Sequence, residues 1–542
     1  MISRITELNH IGIALSAEKD SRSILRKILT GAMSLTHADG GSIYTVTEEQ
    51  LLKFEIVTTE SLNISLGFED GQSVKFPPLA LYINGQPNTS MVVTCAVLED
   101  KTINISDAYD VDGYDFSGTK SFDRSTGYRT KSMLTVPMKN HQGNIIGVLQ
   151  LINAIDQQSG EIGVFTPEDQ QLAESLASQA AVTLTTTKLI KQQKELFEAF
   201  IELIATSIDE KSPYTGGHCR RVPELTMMLA EACNAKLSGP LKSFKMTSKD
   251  RYELKIAGWL HDCGKVTTPE YIVDKATKLE AIFDRVEMIQ TRAEVLKRDS
   301  RINFLEQKLL LIENNSDENI DLEMQVTLLE EKHLELLEEI DNDLLCIRQC
   351  NIGSEFMDEA LKQKIINISK KSWLNQDHET VAFLSENEVY NLLVERGTLT
   401  HEEREVINHH IVMTNKMLES LPFPDHLKNV PEYAGGHHER MDGKGYPNGL
   451  MGFEMSVPAR LMAIADIFEA LTASDRPYKD GKKISECLQI LGRMKLDNHI
   501  DPDIFDVFVR EKVYLSYAEQ FLPASQIDDV DHASIPGYRE QS

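Results

Sequence analysis

The stretch AGGHHERMDGKGYP, residues 434–447, sets His437 and His438 side by side ahead of a loop marked by Gly443, Gly445 and Pro447. Glycines there permit positive φ and close approach of the backbone to a ligand. Similar side chains recur on helical patterns upstream. In GHCRRVPELTMML (217–229), His218 precedes Val222, Leu225 and Leu229 at steps of four, three and four, the spacing of one helical face. In KIAGWLHDCGK (255–265), His261 lines up with Ala257 and Leu254, and Asp262 follows directly. In EREVINHHIVMTNKM (403–417), the stripe Val406, His410, Met413, Met417 makes His410 the inward histidine rather than His409. ARLMAIADIFEALT (459–472) carries Asp466 in a mostly apolar helix. These patterns predict an all-α domain from about residue 207 to 523.

A buried carboxylate costs several kcal/mol unless something compensates it. Arg460, six residues before Asp466, is one candidate. The joint presence of His218, His261, His410, His437, His438, Asp262 and Asp466 favours metal instead. Imidazole and carboxylate suit Fe, Mn, Ni, Co or Zn. Seven ligands exceed the needs of one ion, and a bridging Asp262 would let two ions sit ~3.5–4 Å apart, an arrangement suited to phosphoester hydrolysis. Lys265, one turn after His261, adds a cation for a phosphate oxygen. The reading is a metal-assisted phosphoesterase. The plainer alternative, a metal that only staples helices, needs four ligands and no open position.

Lys plus Arg number 56 against 84 Asp plus Glu, a net charge of -28. That balance repels nucleic-acid backbones. No apolar run reaches the ~20 residues that span a bilayer, and no signal peptide is evident. The seven cysteines form no CxxC pair, which fits a reducing, cytoplasmic setting.

After a short N-terminal helix (1–19), strand-like pieces begin at Gly41, Leu51, Ser132 and Asn144, flanked by helical patterns near Ser23–Thr36 and from Pro167. Residues 20–185 therefore read as one α+β domain. From Pro167 to about Asp209 no Pro or Gly interrupts the pattern after its first residue, which predicts a connector helix (186–206 between the domains) in a parallel homodimer. Residues 281–396, with FLEQKLLLIENN and QVTLLEEKHLELLEEIDNDLL, predict a helical hairpin split near Asn314–Asn319; His333 within it reads as a helix-surface residue. The tail, 524–542, is polar and acidic and is expected to be loose.

The ordered set GHCRRV, HDCGK, HH at 409–410, HHERMDGKGYP and ADIFEALTASDRPYK resembles the HD-GYP family of cyclic di-GMP phosphodiesterases. The resemblance implies that His218, His261, Asp262, His410, His437, His438 and Asp466 hold two ions, commonly iron or manganese, with Asp262 bridging. It implies that Lys265 holds the scissile phosphate, that Arg476 and Lys479 contact the dinucleotide, and that Tyr446 lies on the substrate side. The implied reaction converts cyclic di-GMP to pGpG and in part to GMP. Tyr214 stands where some members carry a glutamate that recruits a third metal, so two ions are expected. The alternatives are hydrolysis of a mixed guanine–adenine ring, or a silent receptor in contact with a GGDEF synthase. The run ISDAYDVDGYDFSGTKSFDRSTGYRTKSMLTVPM (105–138) followed by GNIIGVLQLINA resembles the GAF family, whose pocket Asp123, Thr126 and Lys131 would line.

Overall fold

The computed structural model describes residues 2–18, 20–68, 74–211, 217–314, 320–353, 356–473 and 481–539. They divide into two compact units, Met1–Phe197 and Glu198–Ser542.

In the first unit, strand Ala38–Val46 pairs antiparallel with Leu51–Thr59 on one side and Ile145–Ala154 on the other. Met133–Lys139 and Ile103–Ile105 extend the sheet beyond Ile145–Ala154. Alternation of side chains along each strand gives the sheet two apolar faces. On one, Ile43, Ile56, Leu134 and Leu149 meet Ile24, Ile28 and Leu29 of helix Ser21–Thr36 and Leu176, Ala177 and Ala180 of the long helix. On the other, Tyr44, Leu52 and Val148 meet Val93 of helix Val92–Leu98. The four strands expected from the sequence are all present, and the unit is α+β.

Pro167–Asp209 is a single helix of 43 residues. Val182, Leu189, Leu196 and Leu203 recur along it every seven residues and remain exposed.

The second unit is mainly helical, and its helices start where cap residues supply acceptors. Thr247 with Asp250 opens Ser248–Leu260, and Thr400 with Glu403 opens His401–Glu419, each as a capping box. Ser456 caps Val457–Thr472, with Pro458 in its first turn. Helix His218–Asn234 packs on Ser248–Leu260 and on Val457–Thr472. Helix His401–Glu419 crosses the 3-10 turn Cys263–Thr267 and also packs on Val430–Gly435. Its inward face is His410, Ile411, Thr414 and Leu418, while Val406 is exposed. The expected stripe is thus rotated by about one position. The reason is the crossing turn: the Gly264 N–H donates to Thr414 Oγ1 at 3.0 Å, so a small polar residue occupies the contact expected of Met413.

Helices Val286–Asn314 and Ile320–Asn351 pair as the predicted hairpin. The block is more than that hairpin. It continues through Glu359–Ile368, a two-stranded ribbon of Ser372–Leu374 and Thr380–Ala382, and Glu386–Leu392. Leu279, Ile289, Ile347, Ile365, Phe383 and Leu392 form its own core. Its root is closed by hydrogen bonds from Lys278 N–H to Asn351 O (2.8 Å) and from Thr398 Oγ1 to Lys275 O (3.0 Å). The buried Lys275 ammonium joins Asn391 Oδ1 (2.9 Å) to the Glu403 carboxylate (2.7 and 2.8 Å). His333 donates to or accepts from Ser300 Oγ at 2.8 Å and stacks on Phe304, away from any cluster of histidines.

The described part of the tail, 524–539, is packed rather than loose. The Asp528 carboxylate accepts from Ser485 N–H and Oγ (3.0 and 2.6 Å), Lys495 Nζ donates to Gly537 O (2.8 Å), and Ile535 and Tyr538 are buried. Its acidic and polar residues serve helix Ile484–Leu496 as a cap, which a reading of polarity as solvent exposure overlooks.

Candidate metal centre

Seven side chains converge from five chain segments. His218 is the first residue of its helix, and His261 caps the end of Ser248–Leu260, with Asp262 next. His410 lies on the inner face of His401–Glu419, His437 and His438 follow Val430–Gly435, and Asp466 projects from Val457–Thr472. His218 Nε2 is 3.2 Å from both Asp262 Oδ2 and Asp466 Oδ1. His261 Nε2 is 3.3 Å from Asp262 Oδ2 and 3.8 Å from Asp466 Oδ1. The other oxygen of Asp262, Oδ1, faces His410 Nε2 at 3.3 Å. Three groups of donors have their atoms mutually within 4.8 Å: His218, His261 and Asp466; His261, Asp262 and His437; and His410, His437 and His438.

The backbone sets which nitrogen each ring presents. The Nδ1–H groups of His261, His410 and His437 donate to the carbonyls of Gly258 (2.7 Å), Ile407 (2.6 Å) and Ala434 (2.6 Å), each three residues earlier. That bond leaves an Nε2 lone pair aimed at the shared centre. For His218 the partner is a carboxylate: its Nδ1–H donates to Glu469, whose other oxygen accepts from Arg221 Nε at 2.6 Å.

Asp262 Oδ1, His410 Nε2 and His437 Nε2 are buried without a hydrogen-bond partner. Stranding three such atoms together costs about 1–3 kcal/mol each, and divalent metal is what this donor set fits. Charges within the protein already polarise the cluster. Burial opposes charging His261, but the Asp262 and Asp466 carboxylates outweigh it and hold the ring's pKa up at about 9. His218 is raised likewise, against burial, by Glu469, Asp262 and Asp466. Burial, joined by His410 and Lys265, works the other way on His438, down to about 4, and, joined by His438 and His261, on His437. Asp262 and Asp466 stay well below the usual carboxylate range despite burial, Asp262 through Lys265 and His261, Asp466 through hydrogen bonds from His218 and His261.

Lys265 sits at the edge, with Nζ 2.5 Å from Asp262 Oδ2. Tyr446 stacks on His438 with ring centroids 4.8 Å apart, and its N–H donates to His438 O. Two acids beyond the expected set hold this arrangement. Glu469 orients His218, and buried Glu439 accepts from the N–H groups of Asn448 (2.7 Å) and Leu450 (2.9 Å). Glu469 stands one helical turn after Asp466, a spacing that marks a second acid on the same face. Arg460 is engaged by Asp501 and leaves Asp466 to the histidines. Arg476, Lys479 and Tyr214 lie outside the described residues.

In the first unit, Asp123 is buried and accepts from Thr130 N–H (2.8 Å), Thr130 Oγ1 (2.9 Å) and Tyr109 OH (3.1 Å). Thr126 Oγ1 donates to Phe122 O and Lys131 Nζ to Ile162 O. All three residues expected at a ligand are engaged in bonds of the domain itself.

Among the described residues no helix is long and apolar enough to cross a membrane. Residues 20–184 match the GAF domain family, and residues 215–348 and 385–504 match two families described as HD domain. Three Vibrio cholerae proteins are similar over part of the chain. The 3'3'-cGAMP-specific phosphodiesterase 1 is 46% identical over 81 residues, 15% of this chain and 19% of the relative. The 3'3'-cGAMP-specific phosphodiesterase 3 is 33% identical over 152 residues, 28% of this chain and 32% of the relative. A probable cyclic di-GMP phosphodiesterase is 35% identical over 152 residues, 27% of this chain and 33% of the relative. The chain thus spans a third or less of the length of these relatives. By its family matches the chain carries a GAF domain followed by an HD domain.

Proposed function

We propose that the second unit hydrolyses a cyclic dinucleotide, cyclic di-GMP first, with pGpG as the main product and GMP following in part. The observation that carries this reading is Asp262, whose two oxygens face different histidines within a cluster that keeps all seven donors. His218, His261, Asp262 and Asp466 would hold one divalent ion, and Asp262, His410, His437 and His438 a second; the donors suit Fe, Mn, Ni, Co or Zn, and the HD-GYP resemblance implies iron or manganese. Such a pair, when bound, supplies electrophilic assistance to a phosphoryl oxygen and an acidified water.

The chain's own residues do the rest. The carbonyls of Gly258, Ile407 and Ala434 keep three imidazoles in one tautomer. Lys265, kept cationic by Asp262, binds a non-bridging phosphate oxygen. Tyr446 closes the side of the site against His438. Arg476 and Lys479 hold the second phosphate or the guanine edges. Protein purified anaerobically and loaded with Fe(II) or Mn(II) is expected to yield pGpG from cyclic di-GMP on product chromatography. Alanine at both His261 and Asp262 should abolish turnover. Tight binding without hydrolysis by the loaded protein would make the chain a receptor instead, with a GGDEF synthase as the partner to seek.

A second reading has its own support, because the relative at 46% identity is named for 3'3'-cGAMP. Initial rates on the two nucleotides, measured side by side, decide between them. The exposed seven-residue seam of Pro167–Asp209 supports a parallel homodimer, through which the GAF domain would regulate the catalytic unit.

A further inference from the structure

The long helix ends at Asp209, and the two residues after it follow its last turn, through Glu210 N–H to Thr206 O (2.9 Å) and Lys211 N–H to Ile208 O (3.2 Å). Lys211 then reaches the 3-10 turn Cys263–Thr267, the turn that carries Lys265. Its Nζ donates to three main-chain carbonyls: Lys265 O at 3.0 Å, Val266 O at 2.6 Å and Thr268 O at 2.6 Å. An ammonium has three N–H groups, and all three are spent on this one turn. A cation is favoured there, since the last carbonyls of a helical turn carry the negative end of its dipole; Lys265 O accepts from Thr268 N–H as well (3.1 Å).

The same segment touches a second element. Asp209 Oδ1 accepts from the N–H of Cys219 at 3.1 Å, in the first turn of the helix that His218 begins. Residues 209–211 therefore form a bracket between the His218 helix and the Lys265 turn. Beside that contact lies an open cavity of about 620 Å³, bordered by Lys211, Thr267, Thr268, Tyr271 and Ile282. The open space beside the contact leaves the turn room to shift if the bracket lets go. The helix that ends in the bracket starts in the core of the GAF domain, where Ala173, Leu176 and Ala177 are buried.

We propose that Lys211 is a positioning residue through which the connector helix sets the place of Lys265. A turn or slide of the helix moves the Lys211 ammonium, and the three carbonyls move with it or lose it. Lys265 is then misaligned, while His261, His410 and His437, each tied to its own backbone carbonyl, stay in place. This deepens the phosphodiesterase reading and rests on it for the role of Lys265.

The test compares full-length, metal-loaded wild type with Lys211→Met, which keeps the length of the side chain and removes the charge, and Lys211→Arg, which keeps the charge. Amide hydrogen exchange of 263–268 should quicken about tenfold in Lys211→Met, with 434–439 unchanged, and should return to within about twofold of wild type in Lys211→Arg. On cyclic di-GMP, kcat should fall about tenfold in Lys211→Met at unchanged metal content, with KM within about twofold. One alanine inserted after Gln193 turns the end of the helix by about 100°, and should quicken exchange at 263–268 as the methionine does. Wild-type exchange at 263–268 in both Lys211→Met and the insertion variant would overturn the proposal. The exchange result stands whether or not the wild type hydrolyses the nucleotide, so a failure of the phosphodiesterase reading would show separately, as absent turnover in wild type.

Discussion

Glu469 holds His218 by one carboxylate oxygen and Arg221 by the other. The carboxylate must accept on both sides, since an imidazole N–H and a guanidinium N–H both donate to it. Glutamine cannot do this: its amide offers one acceptor, and its NH2 would meet a second donor. Glu469→Gln is therefore expected to weaken metal binding about 10–100-fold while the protein stays folded. Metal content after dialysis at graded free Mn(II), with circular dichroism as the control for folding, checks it.

Metal binding should depend on pH in a direction the cluster dictates. Without metal, His261 is held at about 9 by Asp262 and Asp466 against burial, and His218 is raised as well. His261 is thus protonated at neutral pH in that state, and metal must displace its proton. Affinity should therefore fall as pH drops below about 9, by about tenfold per unit for each proton displaced. A competition titration with a chelator between pH 6 and pH 9 measures the slope. A flat profile would mean the rings are already neutral.

Glu439 accepts from the N–H groups of Asn448 and Leu450 in the loop that carries Tyr446. Glu439→Ala leaves two donors stranded beside a buried gap, and should cost about 3 kcal/mol in urea unfolding. Glu439→Gln keeps one acceptor and should lose about half of that.

Gly264 has no space for a side chain. A Cβ there would lie 1.9 Å from His410 O and 2.6 Å from Thr414 N, both main-chain atoms that cannot swing aside. Gly264→Ala should destabilise the protein by about 3 kcal/mol or more, and lower the metal bound per chain by displacing His410. Thermal unfolding and metal analysis of the same sample read both effects.

Glutamate at both Leu196 and Leu203 places charge in the exposed seam of the long helix. If the seam joins two copies, sedimentation velocity should show the double variant as monomer at concentrations where wild type is dimer.

Much of this site could be read in the chain because its residues sit on strong periodic patterns. The inward choice of His410 over His409 followed from helical spacing, and the long helix had no breaker to interrupt it. What escaped reading depended on contacts between distant segments. Thr414 replaces Met413 on the inner face because Gly264, 150 residues away in sequence, presses there. Glu439 and Glu469 look like surface acids until their partners are known. The ribbon at 372–382 is short, and the Leu and Glu repeats around it drew the reading toward helix alone. The acidic tail reads as loose because nothing local shows that Asp528 caps a helix from another segment.

The root of the 281–396 block has a consequence for how such a chain can be rearranged. The polypeptide departs and returns at neighbouring points, with Lys278 beside Asn351 and Lys275 beside Thr398, so a gene lacking the block would need only a brief splice to rejoin its ends. Lys275 is what such an excision must respect. Its ammonium steadies Glu403, at the start of the helix bearing His410, and the appendage is thereby wired to the very scaffold it could otherwise be cut from.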